Sequence, residues 1–78
     1  MATRRRRTRQ RMLVITGISG RLGRLLARRL HKQFTIIGID GRGARHLPQD
    51  VVVHDLDIRR RACEDIFRRE RIDAVVHL

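Results

Sequence analysis

A glycine-rich turn between an apolar run and an amphipathic segment constrains this chain more than any other feature. Residues 12–16 read Met-Leu-Val-Ile-Thr, and Gly17, Gly20 and Gly23 follow at intervals of three. A short, continuous apolar run is typical of a parallel strand that is covered on both faces. The sequence therefore predicts a strand over 12–16, a tight turn at the glycines and a helix directly after it.

The helix is predicted over 20–32, where leucines recur at spacings that place them on one face. These are Leu22, Leu25, Leu26 and Leu30. Further apolar runs predict strands over 34–39, 51–56 and 74–78. A second helix is predicted over 59–71, with an apolar face made of Ala62, Cys63, Ile66 and Phe67.

The predicted element order is β-α-β-β-α-β, which indicates an α/β chain with a parallel sheet. We expect the first strand to lie inside the sheet and the fourth beside it, on the side away from the second. About ten residues join the second and third strands, near the lower limit for a parallel crossover. A short helical turn or a hairpin at that connection remains an alternative.

The spacing of the three glycines suits a dinucleotide pyrophosphate. Gly17 would end the strand in a tight turn, Gly20 would let the phosphates approach the backbone, and Gly23 would let the helix pack close to the sheet. The first amides of the helix, those of Arg21 and Leu22 among them, would point at the phosphates. The alternative is a flexible turn without a ligand.

An acidic residue ends the second predicted strand, as dinucleotide recognition requires. Asp40 follows Gly17 by 23 residues, and its carboxylate there can accept both ribose hydroxyls of the adenosine. It would repel the 2′-phosphate of NADP, so we expect NAD. Arg21 and Arg42 could instead attract that phosphate, which keeps NADP as the less favoured alternative.

Two further acids, Asp55 and Asp57, follow the third predicted strand on the ligand side of such a sheet. Asp57 is expected to contact the adenine, to cap the second helix, or to do both. Cys63 is expected to pack in the core. The sequence shows no His/Cys cluster with ligand spacing, so no metal site is expected.

Charge is concentrated at the start of the chain. The 78 residues carry a net charge of +11, and Arg4–Arg7, Arg9 and Arg11 supply six of the positive charges. We expect residues 1–11 to form a disordered tail. A basic nucleic-acid-binding module, or a non-catalytic interaction subunit on an α/β scaffold, is the alternative function. No aromatic residue lies among these arginines to stack on bases.

The apolar runs are too short to span a membrane, and the arginine-rich start lacks the apolar segment of a secretory signal. A single cysteine fits a reducing compartment. We therefore expect a cytoplasmic protein.

Four motifs in order resemble the extended short-chain dehydrogenase/reductases, the NAD-dependent epimerase/dehydratase family. They are Thr16-Gly17-x-x-Gly20-x-x-Gly23, the acid Asp40, Asp57-Ile58-Arg59, and the run Ile72-Asp73-Ala74-Val75-Val76-His77-Leu78. The resemblance covers residues 12–78 and implies that they form the amino-terminal half of a dinucleotide-binding Rossmann domain.

The resemblance implies contacts to each part of the cofactor. The pyrophosphate would contact Gly17, Gly20, Arg21, Leu22 and Gly23. Asp40 would bind the ribose and Asp57 with Ile58 the adenine, with Asp55-Leu56 as a competing alignment. Leu78 would begin the segment that runs along the cofactor.

The resemblance also has departures. The family's catalytic Tyr-x-x-x-Lys pair follows its fourth strand, whereas this chain contains no tyrosine and its one lysine, Lys32, lies in the first predicted helix. We therefore expect a partial Rossmann-type sheet that is truncated after the fourth strand. Such a chain would be a cofactor-binding fragment of a nucleotide-sugar epimerase/dehydratase-like oxidoreductase that is not catalytically complete.

Overall fold

The computed structural model describes residues 10–78, and its elements follow the predicted order. They are β1 (Met12–Thr16), α1 (Arg21–Leu30), β2 (Thr35–Ile39), β3 (Val52–His54), α2 (Arg61–Arg69) and β4 (Ala74–His77). β1 has the predicted bounds, and the other elements are shorter than predicted. The arginine-rich tail, with its predicted disorder and its alternative nucleic-acid role, lies outside the described residues except for Gln10 and Arg11.

The four strands form one parallel sheet in the order β3-β2-β1-β4. This confirms the α/β class and the interior position of β1, which pairs with β2 on one side and β4 on the other. The connection between β2 and β3 is a parallel crossover rather than a hairpin. It contains no helix and is tied to the end of α1, where His31 Nδ1 lies 2.9 Å from an Asp50 carboxylate oxygen.

Both faces of the central strands β1 and β2 are covered, which explains why these two strands are apolar without alternation. On the edge strands, Val52 of β3 and Val75 of β4 are 52% and 48% exposed. On the face under α1, Leu13, Ile15 and Ile36 pack with Ala27 of the helix. On the opposite face the core is made by Val14, Ile37, Ile39, Cys63 and Ile66, the last two from α2. Cys63 is thus a buried core residue, as predicted.

The predicted apolar faces of the helices are buried only in part. Leu22 and Leu25 are 54% and 45% exposed, while Gly23 and Ala27 are the buried residues of α1. Small residues at i and i+4 let the helix backbone approach the sheet, and Leu25 lies roughly 200° around the helix from Gly23. On α2, Ala62 and Phe67 are likewise exposed. Neither helix within residues 10–78 is long and apolar enough to cross a membrane.

Ile18, in the turn after β1, is fully buried against a strand glycine. A Cβ atom on Gly38 of β2 would lie 2.7 Å from Ile18 Cδ1 and 2.8 Å from its Cγ2. The isoleucine side chain therefore occupies the space that the glycine leaves free.

We expect Gly38→Ala to lower the free energy of unfolding by about 1–3 kcal/mol, because the added methyl group overpacks this contact. Ile18→Ala should cost about 2–5 kcal/mol through the cavity that it leaves. The double variant should be more stable than the sum of the two losses predicts, because alanine at position 18 makes room for the methyl group. Urea unfolding followed by circular dichroism measures all four proteins, and strict additivity would contradict this packing.

Candidate functional site

The glycine-rich turn lies at the carboxyl ends of the two central strands. Gly17 has φ +71°, a left-handed conformation that favours glycine. Its N–H donates to the carbonyl of Ile39 at 2.9 Å, and the Gly20 N–H donates to the carbonyl of Gly17 at 3.2 Å. The turn that leaves β1 is therefore bonded directly to the end of β2.

Gly20 and Gly23 meet very different surroundings. A Cβ atom on Gly23 would lie 2.7 Å from Ile18 Cα and 2.9 Å from the Gly17 carbonyl oxygen, so close packing of backbone against backbone requires this glycine. A Cβ atom on Gly20 would meet only the Gly17 carbonyl oxygen, at an ordinary 3.5 Å. Gly20 also has φ −75° and ψ 172°, which any residue adopts. The protein's own packing gives no reason for a glycine at position 20.

The amino end of α1 opens beside Gly20. The first intrahelical bond runs from the Arg24 N–H to the Gly20 carbonyl at 3.0 Å. The amides of Arg21, Leu22 and Gly23 therefore precede the helical ladder. No side chain caps this end, and its first turn contains no acidic residue. The end of the helix thus presents N–H groups and a partial positive charge to an anion.

Asp40 lies directly after β2 and is 6% exposed. Its Oδ2 accepts hydrogen bonds from the Ser19 N–H at 2.9 Å and the Ser19 hydroxyl at 2.6 Å. Its Oδ1 accepts the Arg42 N–H at 2.9 Å, and Arg42 Nε lies 3.6 Å away. Three of about four acceptor positions on the carboxylate are thus filled from within the chain. About one acceptor position therefore remains for a ligand. From the sequence, Asp40 was expected to accept both ribose hydroxyls.

These contacts keep Asp40 ionised despite its position. Burial is the largest single influence and by itself raises the pKa. The hydrogen bonds from the hydroxyl and backbone of Ser19 and from the backbone of Arg42, with the charge of Arg42, outweigh it and hold the pKa of Asp40 below 3.8. Ser19 was not among the residues predicted from the sequence. The sequence did contain a signal for this contact. The hydroxyl of Ser19 comes shortly after β1 and Asp40 comes directly after β2, and the carboxyl ends of adjacent parallel strands lie side by side.

An open cleft of about 460 Å³ adjoins this carboxylate through Gly41. It is lined by Gly41, Asp55, Leu56, Asp57, Arg60 and Ala62. The structure thus brings both predicted acids after β3 to one cleft at the end of β2. Ile58, the other predicted adenine contact, is 42% exposed and is not among the lining residues.

Asp57 does not cap α2, so that alternative is wrong. The helix begins at Arg61, its N-cap residue is Arg60, and no side chain caps it. The carboxylate of Asp57 instead accepts the Arg59 N–H at 2.9 Å and Arg59 Nη2 at 2.8 Å. These hydrogen bonds lower the pKa of Asp57 to about 2.

The end of β4 closes the other side of the turn. The hydroxyl of Thr16 lies 2.6 Å from His77 Nδ1, and the Leu78 N–H donates to the Thr16 carbonyl at 3.3 Å. The Leu78 carbonyl oxygen would lie 3.2 Å from a Cβ atom on Gly17. Apart from Ile58, the predicted site residues therefore lie along the carboxyl edge of the sheet, with Leu78 at one end and the cleft at the other. Residues 10–78 contain no cluster of metal-ligating side chains.

We expect the stability of the protein to fall as the pH drops below about 4. The folded state lowers the pKa of Asp40 below 3.8. Its carboxylate therefore stabilises the fold above that value, and the contribution is lost as the pH falls through the folded pKa. Urea unfolding between pH 3 and pH 7 should show a weaker pH dependence in Asp40→Asn. The matched control, Asp65→Asn, removes an exposed carboxylate of α2 and should keep the wild-type dependence. Equal slopes in Asp40→Asn and wild type would contradict the assignment.

Comparison with known proteins gives a matching family and similar solved structures. The model of the NAD dependent epimerase/dehydratase family matches residues 13–78. The crystal structure of a "putative epimerase" from Burkholderia cenocepacia J2315 is similar, with a TM-score of 0.69 and 28% sequence identity over 87% of this chain. The chain spans 24% of that protein's length. The curated proteins include no significant match.

The arrangement around the turn fits the cofactor of that family. A pyrophosphate would meet the space at Gly20 and the free amides of α1, and its ribose would then meet the ionised Asp40. Because the family match extends over most of the sequence, this chain belongs to the NAD-dependent epimerase/dehydratase family, which implies a nicotinamide dinucleotide cofactor.

Proposed function

We propose that residues 12–78 form the part of an NAD-dependent epimerase/dehydratase that binds the adenosine and pyrophosphate of NAD. The observation that carries this proposal is the open space at Gly20. A glycine that the protein's own packing does not require lies beside helix amides that have no helical partner. A ligand whose phosphates approach the backbone at that point explains both features.

The pyrophosphate would lie across the turn between β1 and α1. Gly17 and Gly23 hold the turn in shape, and Gly20 leaves room for the phosphate oxygens. The amides of Arg21 and Leu22 would donate to those oxygens, with the partial positive charge of the helix end behind them.

The adenosine would extend from Asp40 into the neighbouring cleft. Asp40 would accept a ribose hydroxyl on Oδ1, and Asp57 with Ile58 would border the adenine in or beside the cleft. An ionised, buried Asp40 favours NAD because the 2′-phosphate of NADP would meet its negative charge. Leu78, next to Gly17, would start the segment along the rest of the cofactor.

We propose that this cofactor site belongs to an oxidoreductase of the nucleotide-sugar epimerase/dehydratase type. The bound dinucleotide supplies hydride transfer in such an enzyme. The residues of this chain would bind and orient it. They do not include the catalytic Tyr-x-x-x-Lys pair, since the sequence has no tyrosine and Lys32 is an exposed residue just beyond α1. The catalytic step would therefore need residues other than these.

Gly20→Ala tests the proposal most directly. The methyl group fits the protein without a clash, so the free energy of unfolding should change by less than about 1 kcal/mol. The same methyl group would intrude on the pyrophosphate, so NAD binding measured by isothermal titration calorimetry should be lost. A folded Gly20→Ala protein with wild-type affinity would show that the glycine serves only the turn.

The comparison variant is Gly23→Ala, in which the methyl group meets backbone atoms within 3 Å. It should lower stability and binding together. The contrast between the two glycines separates a ligand requirement from a packing requirement.

Asp40→Ala should weaken NAD binding by roughly 1–3 kcal/mol, the scale of a lost hydrogen bond to a charged group. NADP binding should weaken less, because the substitution also removes a charge that repels the 2′-phosphate. Asp40→Asn, which keeps the shape of the side chain, separates the loss of charge from loss of packing. An unchanged affinity for NAD in both variants would remove Asp40 from the site.

A further inference from the structure

Ser19, the residue before Gly20, bonds to Asp40 through both its backbone and its side chain. The N–H and the hydroxyl donate to the same oxygen, Oδ2, at 2.9 Å and 2.6 Å. We propose that Ser19 is a positioning residue that fixes the Asp40 carboxylate for the ribose and thereby sets the preference for NAD over NADP. This inference rests on the proposed function and assigns a new residue to it.

Two donors from one residue fix the orientation of the carboxylate. Oδ2 is occupied by Ser19, and Oδ1 is the oxygen that keeps an acceptor position beside the Arg42 N–H. The side chain of Asp40 is only 4% exposed, so the carboxylate has little room to turn toward a ligand. The ribose must therefore meet the oxygen that Ser19 leaves available.

The same bonds keep a negative charge where a 2′-phosphate would lie. Arg42 is the nearby cation, but its side chain is 77% exposed and its Nε lies 3.6 Å from Oδ1. Water screens such an exposed charge strongly. Without the Ser19 hydroxyl, the carboxylate would lose its shortest hydrogen bond, would turn more freely toward Arg42, and would protonate more readily. NAD binding would then lack an oriented acceptor for the ribose hydroxyl. NADP binding depends less on that acceptor, because NADP carries the 2′-phosphate.

The test uses the full 78-residue chain and calorimetric titration with NAD and with NADP. Ser19→Ala should weaken NAD binding about three- to tenfold and change NADP binding little. Ser19→Thr keeps the hydroxyl and should restore the preference for NAD. Thr35→Ala is the matched control. It removes a hydroxyl that donates to Gln10 Oε1 at the opposite end of β2, and it should bind like wild type.

A second measurement separates positioning from a general structural effect. Carboxyl 13C NMR of the ligand-free proteins should show a higher pKa for Asp40 in Ser19→Ala than in wild type, Ser19→Thr or Thr35→Ala. The NAD affinity of Ser19→Ala should correspondingly begin to fall at a higher pH. A structural defect alone would weaken both dinucleotides equally and leave the Asp40 titration in place.

The outcomes distinguish this inference from the function on which it rests. A wild-type chain that bound neither dinucleotide would overturn the proposed function, and the selectivity role with it. Wild-type binding of NAD with unchanged affinity and selectivity in Ser19→Ala would overturn the role of Ser19 alone. Equal losses of NAD and NADP affinity, or failure of Ser19→Thr to restore the preference, would do the same.

Discussion

The turn after β1 is packed between two glycines, and the positions of Ser19, Gly20 and the start of α1 depend on that packing. The Cα of Ile18 lies where a side chain on Gly23 of α1 would be, and its side chain fills the space above Gly38 of β2. Ile18 thus holds the helix close to the sheet while it joins β1 to the neighbouring strand. Interiors at this density do not absorb an added methyl group without a shift of their neighbours. The turn is consequently a fixed part of the core rather than a flexible loop.

The fixed turn also holds a buried acid in one orientation. The same short segment that buries Ile18 directs the Ser19 N–H and hydroxyl at Asp40. It also leaves Gly20 facing open space. Core packing and the proposed cofactor recognition therefore use neighbouring residues of one turn. A substitution at 18 or 23 should disturb both, whereas a substitution at 20 should disturb recognition alone.

The sequence predicted the architecture because its signals are local. Continuous apolar runs marked the four strands, and the glycine spacing marked the turn and the start of α1. Three features depend on contacts between distant residues and could not be obtained in that way. They are the pairing of Ile18 with Gly38, the bonds from Ser19 to Asp40, and the exposure of Leu22 and Leu25. Leu22 and Leu25 were predicted to be buried because they are large and apolar. The close approach of α1 to the sheet instead depends on the small residues Gly23 and Ala27. The predicted ligand contacts of the site residues remain predictions.

The two acids proposed to contact the adenosine, Asp40 and Asp57, differ in how they are coupled to the fold. The carboxylate of Asp57 is held by Arg59, two residues further along, so its low pKa of about 2 arises within one short segment. Burial by itself would raise the pKa of Asp40, and the main hydrogen-bond donor that lowers it, Ser19, lies 21 residues away in the turn after β1. Protonation of Asp40 would weaken a link between two strand ends, whereas protonation of Asp57 would release only a local contact. The carboxylate proposed for the ribose is thus coupled to the contact between two strand ends, whereas the carboxylate proposed for the adenine depends only on a local contact.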